Sequence, residues 1–169
     1  MIVGRARASG RALAVATLLL VQGCRSVEDA GQDASVVFVC LNGVAMSVWS
    51  AAYFNELAEE RGIRSRAIAR AAIPSFEDVP WRMTFALAVD GYRLDGFRPH
   101  VIRPADVADA SVVVAIDVEM PEAAQRAGGK HEIWNGFPPM REQYFPSRSA
   151  LKVRVEELVD RLGEGSQNR

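Results

Sequence analysis

A cysteine and a serine flank a short glycine-containing segment whose composition suits anion chemistry. Cys40 ends an apolar run at 35–40, and Ser47 opens a stretch with helical character. Gly43, with or without Asn42, can adopt the left-handed backbone angles of a tight loop. Successive N–H groups in such a loop point inward, and the helix N-terminus adds positive charge. The candidate anion-binding residues are therefore Leu41, Asn42, Gly43, Val44, Ala45 and Met46, and the same donors would stabilise a thiolate at Cys40, at the rim. The alternative, which spacing alone favours, is that Cys40 is a buried cysteine that packs as a small apolar side chain.

Alternating strands and helices are predicted to position this loop. The apolar, β-branched runs at 35–40 and 111–116 indicate buried strands, and weaker strands are expected at 63–72 and 131–134. Helices are predicted at 47–61, 80–90, 120–127 and 149–162, with a helical turn starting at Pro104. Ser47 is expected to cap the first helix, and Gly163 is expected to end the last one.

This alternation predicts an α/β fold. Strands separated by helices form right-handed crossovers, so we expect a three-layer sandwich with a short, mainly four-stranded parallel sheet and helices on both faces. Ligands of such sheets bind at the carboxyl ends of the strands. The segment after Cys40 leaves its strand at that edge, which makes it the expected site.

The N-terminus is predicted to be an export signal. Three arginines precede an apolar run at 12–21, which is too short to span a bilayer as a stable helix. The run ends in Val-Gln-Gly-Cys, which resembles a bacterial lipobox, so Cys24 is the expected lipidation site. We therefore predict a signal peptide at 1–23 and an exported protein, either lipid-anchored or periplasmic or secreted. The alternatives are a buried helix or a mis-assigned start, which would leave the protein cytoplasmic.

The remaining boundaries follow from composition. Residues 24–34 are polar without periodicity and are predicted to be a flexible tether, 35–163 to be the domain, and 164–169 to be a disordered tail. The 169 residues carry a net charge of −1, which argues against nucleic-acid binding. Two cysteines and two histidines without close spacing predict neither a metal site nor a cofactor. Membrane contact is expected only through the N-terminal anchor, and the oligomeric state is not predicted.

The order of these segments resembles the low-molecular-weight protein tyrosine phosphatases and their arsenate reductase relatives. Residues 36–47 match the family's strand-Cys-x5-Arg-Ser-helix opening, residues 91–110 its connector into the third strand, and residues 134–139 its Asp-Pro loop. The resemblance implies that Cys40 is the nucleophile and that Ser47 hydrogen-bonds its thiolate. It also implies a phosphate or another oxyanion, or a phosphorylated protein, as ligand.

Three departures from the family pattern bear on activity. Met46 stands at the position of the loop arginine, Pro138 stands at that of the aspartate general acid, and Asn42-Gly43 inverts the usual Gly-Asn order. Arginines that stabilise transferring phosphoryl groups contribute about 10³ to 10⁵ in rate, and a positioned general acid contributes about 10² to 10⁴. We therefore predict a degraded, pseudoenzyme-like site with weak oxyanion or partner binding and little or no phosphatase activity.

Two alternatives remain open. The first is an active cysteine-dependent phosphomonoesterase that uses Cys40 together with a relocated arginine or acid. The candidates for those roles are Arg98, Arg103, Arg141, Asp117, Glu142 and Tyr144. The second alternative is a structural interaction module with a vestigial loop. A thiol-relay reductase is not expected, because the resolving cysteines that such enzymes need are absent.

Overall fold

The computed structural model describes residues 25–26, 35–74, 76–108, 110–126 and 129–167. The predicted signal peptide and Cys24 lie outside these residues. The elements, in chain order, are β1 Arg25–Ser26, β2 Val36–Cys40, α1 Met46–Glu60, β3 Ala67–Ala71, α2 Trp81–Val89, β4 Tyr92–Arg93, α3 Pro104–Val107, β5 Val112–Ile116, α4 Glu122–Gln125, β6 Lys130–Trp134 and α5 Tyr144–Gln167.

Four parallel strands form the main sheet in the order β3-β2-β5-β6. The central strand β2 pairs Cys40 with Ala71 of β3 on one side and Val39 with Ala115 of β5 on the other. The chain leaves β2 toward β3 and later returns to the opposite side as β5. The carboxyl end of β2 is therefore a topological switch point, where ligands of open parallel sheets bind.

Two apolar layers cover the two faces of the sheet. Alternate residues of β2, such as Val36 and Phe38, join a core formed with α1 and α5, whereas Val37 and Val39 join a second core beneath α3 and α4. Both faces of β2 are buried, as its uninterrupted apolar run predicts. The predicted three-layer α/β fold with a four-stranded parallel sheet is confirmed.

The last helix is longer than predicted at both ends. It begins at Tyr144, five residues before the expected start, and continues past Gly163 to Gln167, so residues 164–167 are helical rather than part of a tail. A proline at 146 is tolerated because the first turn of a helix needs no internal N–H partner. A glycine inside a helix costs only about 1 kcal/mol, and Gly163 also lets the helix pass close to Ile63, whose Cδ1 would lie 3.1 Å from an added Cβ.

The N-terminal side of the domain contains a short strand that composition did not predict. Arg25 and Ser26, within the predicted tether, pair in parallel with Tyr92 and Arg93 of β4. The rest of the predicted tether lies outside the described residues. Among the described helices, none has the length and apolarity needed to cross a membrane.

Candidate functional site

The loop after β2 is closed by its two polar ends. The Sγ atom of Cys40 lies 3.1 Å from the Oγ atom of Ser47, and either atom can donate the hydrogen bond. Both residues are buried. The prediction that Ser47 caps α1 is wrong, because the helix begins at Met46 after Ala45, which makes no side-chain capping bond. The serine hydroxyl is directed to sulfur instead, as the resemblance implied.

Gly43 sets the path of the loop. Its φ of 64° lies in the left-handed region, whereas Asn42 is not among the residues with positive φ. A Cβ at position 43 would lie 2.9 Å from the backbone nitrogen of Ala71, a distance that side chains do not reach without a shift. The inverted Asn42-Gly43 order therefore places glycine where both the backbone angle and the approach of β3 require it.

The loop is tied to β3 through its carbonyl groups and not through its N–H groups. The N–H of Ala72 donates to the carbonyls of Cys40 and Leu41 at 2.9 and 3.2 Å, and that of Ile73 donates to Leu41 at 3.2 Å. Within the described part of the chain, no N–H of residues 41–47 donates to a backbone acceptor. These donors stand at the N-terminus of α1, where the helix dipole adds partial positive charge.

The side chain of Met46 packs against the apolar core of the domain. It is the first residue of α1, is partly buried, and packs against the core on the α1 side of the sheet. A thioether there supplies neither a positive charge nor a hydrogen-bond donor. The loop therefore carries backbone donors, one thiol, one hydroxyl and the amide side chain of Asn42.

Comparison with known proteins identifies the family. The model of the low molecular weight phosphotyrosine protein phosphatase family matches residues 35–133. This chain belongs to that family. The arsenate reductase of Archaeoglobus fulgidus has 22% identity and a TM-score of 0.60, covering 74% of this chain and 98% of its own. A low molecular weight protein tyrosine phosphatase from Bacillus subtilis has 16% identity and a TM-score of 0.63, covering 76% and 97%. No curated protein sequence matches the chain.

In this member of the phosphatase family, the segment after β6 is held by a carboxylate. Asp117, which directly follows β5 with a φ of 49°, accepts the N–H of Gly136 at 2.7 Å and that of Phe137 at 3.3 Å. Both carboxylate oxygens are thus engaged with the backbone that leads to Pro138. Asp117 thus holds this segment in place, and a general-acid role for Asp117 stays a prediction.

The candidate replacement arginines are separated by the fold. Arg98 pairs with Asp78 at 3.1 Å, and Arg103 pairs with Asp106 at 3.1 Å, both with exposed guanidinium groups. Arg141 lies in the turn before α5 with an exposed side chain. Arg141 is therefore the one of these three arginines that forms no ion pair with another described residue, and it stays a candidate for the role of the loop arginine.

A buried carboxylate that sequence reasoning did not single out joins the helices behind the two loops. Asp90, whose side chain is 9% exposed, accepts the indole N–H of Trp49 at 2.9 Å and the hydroxyl of Tyr144 at 2.8 Å. Arg148 donates to its other oxygen at 2.5 Å. Burial, followed by the hydrogen bond to Asp90, raises the pKa of Tyr144 well above its ordinary value, so Tyr144 stays a donor.

This cluster, formed by Asp90, Trp49, Tyr144 and Arg148, bears on the candidate role of Tyr144. Tyr144 was considered as a replacement catalytic group, and it is used in the cluster instead. Trp49 packs in the core, with its indole N–H satisfied by Asp90. The four residues come from α1, the end of α2 and the first turns of α5. No local sequence pattern signals such a cluster, because its members are far apart in the chain.

Proposed function

We propose that the loop at 41–47 binds a tetrahedral oxyanion such as phosphate and supports little or no phosphatase turnover. The proposal rests on the N–H groups of residues 41–47, which donate to no backbone acceptor among the described residues, in a loop that the Cys40–Ser47 contact closes. Backbone donors at a helix N-terminus form an anion site without any particular side chain. Replacing the family's arginine by Met46 therefore weakens binding without removing the donors.

The proposed loss of turnover follows from the side chains. Phosphoryl transfer needs charge stabilisation on the transferred group, and an arginine in that role contributes about 10³ to 10⁵ in rate. Departure of the alkoxide needs a proton, and a positioned acid contributes about 10² to 10⁴. Met46 and Pro138 supply neither, and Asp117 is engaged with Gly136 and Phe137. Cys40 remains a possible nucleophile that lacks both partners.

Phosphate titration followed by NMR tests the binding proposal. We expect inorganic phosphate to shift the amide signals of residues 41–47 of the full chain. Met46→Arg should tighten phosphate binding at least about tenfold, because a guanidinium adds charge-assisted hydrogen bonds worth roughly 1.5–3 kcal/mol. Met46→Leu, the matched apolar control, should leave the affinity unchanged. Absence of shifts in both wild type and Met46→Arg would contradict the proposal and favour a structural interaction module.

Hydrolysis of an aryl phosphate tests the proposed loss of turnover. We expect the wild-type rate of hydrolysis to be indistinguishable from that of Cys40→Ser, since Cys40 acts without a loop arginine and without a general acid. A wild-type rate that Cys40→Ser abolishes would overturn this part of the proposal and establish an active phosphomonoesterase. Phosphate binding at the loop would survive that result, so the two parts fail separately.

One observation favours the active alternative enough to test it directly. Arg141 follows the Pro138-Pro139 segment, is exposed, and forms no ion pair with another described residue. If it replaces the missing loop arginine, Arg141→Ala should abolish any Cys40-dependent hydrolysis. Arg98→Ala is the matched control, because Arg98 is held by Asp78. Equal rates for the two variants would exclude Arg141 from this role.

We also propose that the protein is exported and anchored through Cys24. The support is the sequence of residues 1–24, with its arginines, its apolar run and its terminal Gly-Cys. Mass spectrometry of the membrane fraction from a bacterial host should show loss of residues 1–23 and added acyl mass on Cys24. An intact Met1 in the soluble fraction would contradict this proposal.

A further inference from the structure

Helix α2 exposes an apolar stripe to solvent. Trp81, Phe85 and Val89 occupy successive turns and are 73%, 66% and 58% exposed. Met83 and Leu87, on the opposite side of the helix, are buried in the core. The helix therefore needs only one apolar face for folding, and it carries a second face that the described residues leave uncovered. Contiguous exposed apolar side chains of this kind mark an interaction surface.

The charge of this helix restricts what its stripe can contact. The segment from Trp81 to Val89 contains no acidic residue and one basic residue, Arg82. The guanidinium of Arg82 lies 5.5 Å from the centre of the Trp81 ring. Tryptophan and arginine side chains, with an apolar body and a polar end, are suited to the boundary between lipid and water.

The chain enters the domain beside the same helix. Arg25, the residue directly after Cys24, pairs with Tyr92 of β4. Helix α2 contacts β4, and the turn at Asp90–Gly91 joins the two. An anchor on Cys24 would thus attach to the domain next to the C-terminal end of α2, where Val89 is exposed. The pairing of Arg25 with Tyr92 therefore means that an anchored chain would turn the surface around α2 toward the bilayer.

We propose that the stripe formed by Trp81, Phe85 and Val89 rests in the interface of the lipid bilayer beside the N-terminal anchor. This inference rests on the proposed anchoring and is independent of the anion site. It extends the contact with membrane beyond the anchor itself and gives the anchored domain a fixed orientation. Aromatic and aliphatic side chains on one helix face insert to the level of the headgroups and acyl boundary.

Two quantities favour a bilayer over a second copy of the chain. A large aromatic side chain buries about 150–250 Å², so three side chains supply less than the roughly 800 Å² per partner of a stable protein interface. A bilayer needs no such area, because the anchor already holds the helix at high effective concentration next to lipid. A weak contact is then enough to keep the stripe inserted.

Quenching of tryptophan fluorescence by brominated lipid tests this proposal on the full chain. The protein is reconstituted in vesicles of phosphatidylethanolamine and phosphatidylglycerol, with or without bromine on the acyl chains. Trp49 and Trp134 are buried, so Trp81 is the tryptophan able to contact lipid. Since Trp81 is one of three tryptophans and tryptophan side chains lie at the membrane interface, we expect bromine to remove up to about one third of the total tryptophan emission. Trp81→Phe should abolish this loss.

Paired serine substitutions test the rest of the stripe. Val89→Ser should reduce the quenching of Trp81, whereas Val153→Ser, at a similarly exposed position on α5, should leave it unchanged. Trp81 emission that is blue-shifted but unquenched would mean that residues 12–21 or a second copy cover the stripe, and would overturn the proposal. Wild-type emission that bromine leaves unchanged, or a chain that fails to attach to the vesicles, would also overturn it. Phosphate binding at the loop is unaffected in every case.

Discussion

The loop after β2 and the segment after β6 lie at the same edge of the sheet and are constrained in different ways. Residues 41–45 are positioned by backbone geometry, with Gly43 packed on Ala71 and the loop carbonyls bonded to the chain after β3. The segment after β6 is positioned by side chains of other elements. Asp117 holds the start of this segment at Gly136, and the hydrogen bond from Tyr144 to Asp90 fixes the first residue of α5, where the segment ends.

This difference is the basis of our proposal that this family member keeps only half of its site. In the loop after β2, the proposed anion donors are peptide N–H groups, which a change of one side chain to Met46 does not remove. In the segment after β6, the contribution that the family resemblance implies is a carboxyl side chain, and Pro138 at that position has none. We therefore expect a function carried by the backbone to survive substitutions that would abolish a function carried by a side chain.

The largest expected effect is on the backbone of the first loop. Gly43→Ala places a Cβ 2.9 Å from the nitrogen of Ala71 at a φ of 64°. Gly62→Ala is a matched control, because Gly62 has a φ of 66° and nothing within 4 Å of the added Cβ. We expect Gly62→Ala to lower the free energy of unfolding by about 1 kcal/mol, and Gly43→Ala by about 3 kcal/mol, since overpacking adds to the strain.

Urea denaturation of both variants measures these costs. The comparison also separates strain from packing, since the two glycines share a backbone angle and differ in their surroundings. Gly43→Ala should in addition abolish the phosphate-induced amide shifts. Equal losses of unfolding free energy in the two variants would mean that the loop after β2 shifts at little cost to accept the added Cβ. Its backbone would then be no more constrained than that of an ordinary turn.

The next effect concerns the carboxylate that joins the helices behind the two loops. Asp90→Asn keeps an acceptor for Trp49 and Tyr144 but leaves Arg148 without its charge partner. We expect a loss of about 2 kcal/mol in the free energy of unfolding, less than for a fully buried pair because Arg148 is 34% exposed. Asp95→Asn, which breaks an exposed pair with Arg93, is the control and should cost under about 0.5 kcal/mol. Equal losses of unfolding free energy in the two variants would mean that Asp90 stabilises the fold no more than an exposed ion pair does.

A third prediction uses pH to test the support beneath the first loop. Arg70 precedes Ala71, on which Gly43 packs, and its guanidinium bonds Asp106 at 2.9 Å with both side chains buried. Burial alone would raise the pKa of Asp106, but hydrogen bonds from Arg103 and Arg70 outweigh it and lower the pKa to about 2. A lowered pKa stabilises the fold above the unfolded pKa of 3.8, and this stabilisation is lost as pH falls toward 2.

Asp106→Asn isolates this contribution. The difference in stability between wild type and variant should be largest above about pH 4 and should shrink by about 2 kcal/mol as pH falls to about 2. Asp78→Asn, which breaks the exposed pair with Arg98, should show a small difference that changes little with pH. A wild-type advantage over Asp106→Asn that stays constant down to pH 2 would contradict the prediction.

Much of the fold could be predicted from local sequence. The apolar run of β2 has both faces buried, and this pattern correctly indicates a parallel sheet and the edge at which the first loop lies. The Cys40–Ser47 contact was accessible only through the family resemblance, since spacing alone does not distinguish it from a helix cap. The position of Gly43 was also predictable, because glycine tolerates the left-handed region.

What the sequence did not predict depends on contacts between distant residues. The Asp90 cluster draws donors from positions 49, 144 and 148, so no window of the sequence contains it. Gly163 was expected to end α5 because glycine weakens a helix, yet tertiary packing of Leu151 and Leu158 on the core outweighs that preference. The pairing of Arg25 with Tyr92 involves a two-residue strand, which is too short for any periodicity to indicate.

The smallest effect is expected at the start of the segment after β6. Asp117→Asn retains one carbonyl oxygen for the 2.7 Å bond from Gly136 and turns an amide group toward the N–H of Phe137. Because Asp117 is exposed, we expect a loss under about 1 kcal/mol, and the effect should be local. Hydrogen exchange at Gly136 and Phe137 should accelerate by up to about fivefold, with exchange at Gly43 unchanged. Faster exchange at Gly43 as well would show that the two loops are coupled, and the contrast between a backbone-held loop and a side-chain-held segment would fail.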